Sequence, residues 1–376
     1  MAEDIFDVIV VGGGIAGNTA AYVLAKEGLG VLLVERGKSN GNKNMTGGRL
    51  YLHSIEKLFP GIAQQAPLER RIVQEKYTYL DGEDWETLEL GEDRFCIRGG
   101  DSYAVLRADF DAWMGQCAED EGAMCVTGIR VDDLLVKDGK VCGIIAGGEE
   151  MESRVVILAD GVNSLLAQKA GLKQELTPEE TEVGVKEVLA MDPVVMEERF
   201  GLKPGEGLQW MFEGNACFGH EGTGFLYTNK ESVSIGILTG LEEISAEGMA
   251  VPELIDCFME HLLIKPLLEG TKLLEYSAHL LPKGGSKSLS HLYGDGVLVI
   301  GDAAGMVVNS GYVVRGMDLA VESALLAAET VKKANEMDDF SATVLKSYED
   351  AVRDSFIVRE MDSNKPYNEK LEVIFR

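Results

Sequence analysis

The chain has 376 residues, 45% of them hydrophobic, and its 63 acidic side chains outnumber 35 basic ones for a formal charge of −28. This size predicts about two domains, and the charge argues against nucleic acid, because no basic stripe exists to neutralise phosphates. Acidic clusters such as Glu119-Asp120-Glu121 and Glu149-Glu150-Met151-Glu152 read as solvated faces, with a docking surface for a basic partner as the alternative.

No apolar run approaches the roughly 20 residues of a membrane span, and Met1-Ala2-Glu3-Asp4 leads directly into a strand, leaving no room for a signal peptide. A cytoplasmic protein is expected. The six cysteines, Cys96, Cys117, Cys125, Cys142, Cys217 and Cys257, show no C-x-x-C spacing, so no metal site is expected. The five histidines are scattered, and a structural role is expected for each.

In chain order, Ile5 to Val11 reads as a short buried strand ended by glycines. Gly12, Gly14 and Gly17 follow at G-x-G-x-x-G spacing, with Ile15 and Ala16 opening a helix that runs to Glu27. Such a loop allows a tight turn, backbone approach to a pyrophosphate, and close helix packing. Val31 to Val34 is the second strand. Glu35 closes it, about 20 residues past the glycines, where an acid accepts a ribose hydroxyl, with Arg36 beside it.

Tyr103 to Trp113 enters a helix ending near Gly122. Strands at Cys125–Val136 and Lys140–Ala146 are joined through Lys137-Asp138-Gly139, a hairpin signal. Arg154 to Ala159 is another buried strand, ending in Asp160-Gly161. From 182 to 282 the chain reads as strands (Val183–Val188, Gly224–Thr228, Ser232–Ile237) with one helix at Val251–Leu263. Gly296 to Ile300 is a final buried strand leading into Gly301-Asp302-Ala303-Ala304-Gly305, which puts a carboxylate at a strand end where it can hold a ribityl hydroxyl. One ligand touched by both ends of the chain is long, and that points to FAD. The expected organisation is α/β: an FAD-binding Rossmann-like domain from 1–181 and 283–335, an antiparallel-sheet substrate or partner domain at 182–282, and a helical tail at 336–376.

The Gly12–Gly17 loop with Glu35, the Ala159-Asp160-Gly161 phrase and the Gly301-Asp302 phrase together resemble the glutathione-reductase-type FAD fold of the p-hydroxybenzoate hydroxylase group. More narrowly, Lys43-Asn44-Met45-Thr46-Gly47-Gly48-Arg49-Leu50-Tyr51, Val185-Lys186-Glu187, Gly224-Phe225-Leu226-Tyr227 and Arg315-Gly316-Met317-Asp318-Leu319-Ala320 resemble the FixC proteins. These are relatives of electron-transfer-flavoprotein:quinone oxidoreductase and, more distantly, of geranylgeranyl reductases. The resemblance implies an FAD oxidoreductase that accepts electrons from an electron-transfer flavoprotein. It implies quinone, reached peripherally at the inner face of the membrane, or a ferredoxin-like iron–sulfur subunit as acceptor. No cysteine follows Cys257, in keeping with a cluster carried on a separate subunit.

The resemblance also implies residue roles. Gly12, Gly14 and Gly17 would hold the pyrophosphate, Glu35 the adenosine ribose, and Arg107 the phosphates and ribityl chain. Val131 would offer its backbone to adenine, and Asp160 with Gly161 would organise a turn near the pyrophosphate. Asp302, after Gly301, would take a ribityl hydroxyl. Gly47, Gly48 and Arg49 would lie against the isoalloxazine. Gly311, Gly316 and Met317 precede a helix whose N-terminus would face the flavin N1–O2 edge. Tyr51, His53, Tyr227 and Tyr312 are substrate-side candidates, with core packing as the competing reading, and no catalytic acid or base is assigned. A flavin-dependent C=C reductase of geranylgeranyl-reductase type, an FAD monooxygenase and a non-enzymatic flavin scaffold stay open as alternatives.

Overall fold

The computed structural model describes residues 5–42, 44, 48–91, 101–217, 222–242, 244, 250–285, 289–309 and 314–362. Among them the chain forms two large sheets. The first runs in the order Tyr293–Gly294, Val297–Val299, Glu149–Leu158, Phe6–Val11, Val31–Glu35, Met124–Thr127. Along that order every pair after the short edge strand is parallel, and Glu149–Leu158 also pairs antiparallel with Lys140–Ala146. Val8, Ile9, Val10, Leu33, Val156, Ile157 and Val299 are fully buried, as continuous β-branched runs are in a parallel sheet covered on both faces. Helices Ile15–Lys26, Arg107–Asp120 and Met317–Met337 join its core, the first packing against the other two, and Leu134, Val141 and Ile144 of the following hairpin join it as well. Each such side chain taken from water contributes about 1.5–3 kcal/mol.

The strand expected from Cys125 to Val136 is broken. Gly128, at φ +77°, ends Met124–Thr127 in the first sheet and turns the chain into Val131–Lys137. That strand forms the expected hairpin with Lys140–Ala146. Asp138 and Gly139 sit at φ 51° and 82°, the left-handed pair that a tight two-residue hairpin turn requires.

The second sheet is larger than expected. Its order is Lys272–Pro282, Thr181–Ala190, Ser232–Gly240, Gly222–Thr228, Glu206–Gly214, Arg71–Asp81, Ser102–Val105, Gly48–Tyr51, with Asp84–Gly91 beside Arg71–Asp81. An antiparallel sheet confined to 182–282 is therefore corrected: strands from 48–105 complete it, and Glu206–Gly214 pairs with Arg71–Asp81 in parallel. The segment escaped sequence reading because Gln74, Glu75 and Thr78 interrupt the apolar pattern of its central strand. One face of the sheet carries Val185, Phe212, Ile235 and Ile237 against helix Val251–Met259. The other carries Met211, Phe225, Tyr227 and Leu238. Helices Ala342–Asp354 and Phe356–Asp362 follow the long Met317–Met337 helix, which itself runs across the boundary expected at 336.

Candidate cofactor site

A cavity opens between the first sheet's loops and the second face of the second sheet. Its floor starts at Gly14, Ile15 and Ala16, where helix Ile15–Lys26 begins with no side-chain cap. The three motif glycines there differ in what they are for. Gly12 sits at φ +109°, and a Cβ on it would lie 2.2 Å from the Ala159 carbonyl oxygen. A Cβ on Gly17 would lie 1.9 Å from the Gly12 oxygen. Gly14 is free of both demands, with Asn44 Nδ2 at 3.4 Å and Arg107 Nη2 at 3.8 Å as the nearest atoms to an added Cβ. Packing dictates the first two glycines, whereas the third leaves backbone bare toward the cavity. An uncapped helix N-terminus behind bare backbone is an anion cradle.

Arg107 opens the Arg107–Asp120 helix and lines the cavity beside that cradle. Its guanidinium donates to Asp111 at 2.8 Å, and Asn44 Nδ2 donates to the same carboxylate at 2.5 Å. Asp111 is fully buried; burial pushes its carboxyl up, against the pull of Arg107 and Asn44. Buried Asn18 ties this helix to the glycine loop, donating to the Gly13 and Asp111 carbonyls at 3.1 and 2.8 Å.

Asp302 enters from the other side of the cavity, in the turn Gly301–Ala304 after the last parallel strand. Gly301, at φ +61°, could not carry a side chain, since its Cβ would meet Ala16 at 2.9 Å. Gly316, which precedes the uncapped Met317–Met337 helix, would place a Cβ 3.5 Å from Asp302 Oδ1, and Gly48 one 3.3 Å from Met317 Cε. Lys173 links two cavity loops by donating to the Val162 and Ala303 carbonyls at 2.7 and 3.2 Å.

Gly14, Ile15, Ala16, Gly48, Arg49, Arg107, Gly161, Asp302, Gly316 and Met317 thus converge on one cavity. Gly12, Gly17, Glu35, Arg36, Val131, Asp160 and Gly301 do not line it. Glu35 ties the loop together instead, accepting from Gly13 N at 2.7 Å and Gly37 N at 2.5 Å. Val131 starts the hairpin just past Ile129, whose N–H donates to the Glu35 carbonyl at 3.0 Å. Asp160 holds its turn by accepting from Ser164 Oγ at 3.1 Å and Leu166 N at 3.4 Å. Gly47, Gly311 and Tyr312 lie outside the described residues.

The second sheet forms the opposite wall, through Phe225, Tyr227, Leu238, His279 and Leu281. Arg49 is buried there, paired with Glu75 and bonded to Ser102 Oγ at 2.9 Å and Gln209 Oε1 at 3.0 Å. The Tyr51 ring lies between two guanidinium groups, Arg49 at 4.6 Å and Arg315 at 4.8 Å from its centroid. Arg315 is held by Asp318 at 2.6 Å, which also faces His53 Nε2 at 3.3 Å. Burial raises the phenols of Tyr51, Tyr77 and Tyr227, keeping them protonated, and holds His53 below the ordinary imidazole range.

Asn44, His279, Leu238 and Leu281 line the cavity without having been singled out as site residues. His279 carried no usable signal. Its strand, Lys272–Pro282, turns Glu275, Ser277 and His279 inward and leaves Leu274 and Tyr276 63% and 44% exposed, the reverse of the usual alternation.

FAD fits this set of groups. The bare Gly14 backbone and Arg107 suit a pyrophosphate, the Asp302 carboxylate suits a polyol hydroxyl, and the apolar sheet wall suits a flat ring. Among the described residues no cluster of three or more His, Cys, Asp or Glu could hold a metal ion, and no helix is long and apolar enough to cross a membrane.

Comparison with known proteins agrees. Residues 7–113 match the FAD dependent oxidoreductase family. Protein FixC of Salmonella typhimurium is 47% identical over 350 residues, covering 93% of this chain and 81% of that protein. The probable electron transfer flavoprotein-quinone oxidoreductase YdiS of Escherichia coli is 46% identical over 361 residues, covering 96% and 84%. Among solved structures, a geranylgeranyl bacteriochlorophyll reductase-like protein from Thermoplasma acidophilum superposes with a TM-score of 0.80 at 20% identity, covering 99% of this chain and 88% of that one.

Proposed function

This chain belongs to the FixC family of FAD-dependent oxidoreductases of electron transfer, and we propose that it accepts electrons from an electron-transfer flavoprotein and delivers them to quinone or to a ferredoxin-like iron–sulfur subunit. The observation that carries this reading is near-half identity, along more than nine-tenths of the chain, to FixC and to a probable flavoprotein–quinone oxidoreductase. With quinone as acceptor the protein works peripherally at the inner face of the membrane.

FAD supplies the electron chemistry when bound; the chain binds it, orients it and sets its electrostatic surroundings. In this reading the glutathione-reductase-type part comprises the first sheet with Gly12, Gly14, Gly17, Glu35 and Asp302, and holds the cofactor. Arg107, fixed by Asp111, neutralises phosphate charge. Gly48, Arg49, Gly316 and Met317 frame the ring, and the largely antiparallel second sheet walls the substrate side. The tyrosines there stay protonated and Arg49 is committed to Glu75, which suits electron exchange better than acid–base work.

An anaerobic absorbance titration tests the proposal. NADH, then reduced electron-transfer flavoprotein, is added to the yellow protein. Bleaching by the flavoprotein alone is expected; direct bleaching by NADH would replace this reading with the reductase or monooxygenase alternatives.

A further inference from the structure

Lys186 has no part in the site as described, yet it is only 1% exposed. The pairing register sets it in one row across the second sheet, Tyr77–Met211–Phe225–Gly236–Lys186–Ser277. Members of such a row share a face. Phe225, from that row, lines the cavity. Gly236 makes room for it: a Cβ there would lie 2.4 Å from Phe225 Cζ. The ring therefore leans across Gly236 toward Lys186, whose Nζ lies 5.9 Å from its centroid, within reach of a cation–π attraction. The amine adjoins a ring of the cavity wall.

Few charges face it among the described residues. Glu275 on the neighbouring strand favours its protonated form, and Arg107 on the cavity floor opposes it. His279, on that same neighbouring strand, lines the cavity and answers to Asp302, Arg107 and Arg36. On Lys186's own strand, Glu187 is influenced by Asp256 of the helix on the other face, and Glu182 bonds Asn309. The Ser232–Gly240 strand offers only uncharged residues on this face, Ser232, Ser234, Gly236, Leu238 and Gly240, and Gly222–Thr228 adds the protonated Tyr227. Burial, with Arg107 adding to it and Glu275 resisting, brings the amine down to about 7.

We propose that Lys186 is a charge-compensating group for this cavity, taking one proton from solvent when electrons enter the cofactor and releasing it when they leave. The balance is one H⁺ from water converting –NH₂ to –NH₃⁺, with no other bond made or broken. Negative charge entering the cavity favours the protonated amine, and by reciprocity the protonated amine favours reduction. The proposal rests on FAD occupying this cavity; it does not depend on which donor or acceptor the protein uses.

The test is the midpoint potential of the FAD-loaded protein, measured by dye equilibration from pH 6 to 9. Wild type, Lys186→Met and Lys186→Arg are compared. At pH 6 the wild type is expected to favour reduction on the order of tenfold more than Lys186→Met, the effect of one nearby charge. The two lines merge by pH 9, while Lys186→Arg keeps its advantage throughout. Parallel lines for wild type and Lys186→Met would overturn the proposal. Should the methionine variant fail to hold FAD, lysine-labelled wild type decides by NMR. The Lys186 resonance, identified by its loss in Lys186→Arg, is expected to titrate at higher pH in the reduced than in the oxidised protein. An unchanged midpoint overturns the proposal equally. Because dyes replace the partners, failure of the flavoprotein titration leaves this result standing.

Discussion

The first sheet buries Val8, Ile9, Val10, Ile157 and Val299 with scarcely a polar side chain among them, whereas the second buries Lys186, Arg49, Glu75, Gln209, Glu213 and Ser234. Both meet the same cavity. The first sheet gives it loops: three of its parallel strands, Phe6–Val11, Glu149–Leu158 and Val297–Val299, end at the site, where glycines and helix N-termini present backbone. The second gives it a wall of side chains, whose desolvation is offset by hydrogen bonds and ion pairs, such as those of Arg49 with Glu75 and Gln209, and by ring contacts. One sheet presents backbone to the cavity; the other presents Phe225, Tyr227, Leu238 and Leu281 on a face that also buries polar side chains.

The comparison breaks most sharply at the glycine loop. Gly12→Ala forces a Cβ to within 2.2 Å of the Ala159 oxygen at a φ of +109°. The expected cost exceeds about 4 kcal/mol, the range in which single changes unfold marginal proteins. Gly14→Ala meets nothing closer than 3.4 Å, so the apoprotein should melt like wild type while its FAD affinity falls tenfold or more. Thermal melts of the apoproteins and FAD titration by flavin fluorescence separate the two. Equal melting losses would mean that Gly14 is held by packing after all.

On the second sheet the largest effect is expected from Arg49→Met. It strands the buried Glu75 carboxylate, since both side chains are less than a tenth exposed. Removing one member of a buried pair costs about 3–5 kcal/mol. Replacing both, Arg49→Met with Glu75→Gln, should recover much of it. Urea denaturation of the two variants checks this, and a double variant no better than the single one would mean that the wall does not depend on pairing.

This contrast also explains what could be read from the sequence. The first sheet was legible because Ile5–Val11, Val31–Val34, Arg154–Ala159 and Gly296–Ile300 are continuous apolar runs ending at glycine or acid. Gly14 and Asp302 on the cavity floor followed from them, whereas Arg107 came only from the family resemblance. The second sheet was only half legible. Thr181–Ala190, Gly222–Thr228 and Ser232–Gly240 kept their β-branched pattern. Arg71–Asp81 and Lys272–Pro282 did not, because they turn Glu75, Tyr77, Ser277 and His279 inward. Polar residues turned inward among apolar ones erase the periodicity by which strands are found. Lys186 stood inside a recognised phrase, yet nothing in its spacing marked it as buried against the cavity face.

Glu213 sharpens the comparison at its finest scale. It lies at the end of Glu206–Gly214, 3% exposed, accepting only the Thr223 hydroxyl at 3.1 Å through Oε1, while Oε2 has no hydrogen-bond partner among the described residues. Burial pushes its carboxyl up to about 9, with Thr223 pulling modestly the other way. The folded protein therefore binds more protons here than the unfolded chain from about pH 4.5 to 9. Stability falls as pH rises through that window and is fully lost from this group above it. Lys186 acts oppositely: its folded value is below its ordinary one, so its contribution improves as pH rises from about 7 toward 10.5. A bare stability–pH curve would mix the two. The difference between wild type and Glu213→Gln removes everything they share, including Lys186. Near pH 5 the two proteins should lie within about 1–2 kcal/mol. By pH 9 the glutamine variant should be the more stable by a few kcal/mol, because it has no charge to bury. Urea melts at pH 5, 7 and 9 give that difference directly. If it stayed constant, Glu213 would be ionised in the fold, and the second sheet's wall would tolerate a buried charge held by the Thr223 hydroxyl alone.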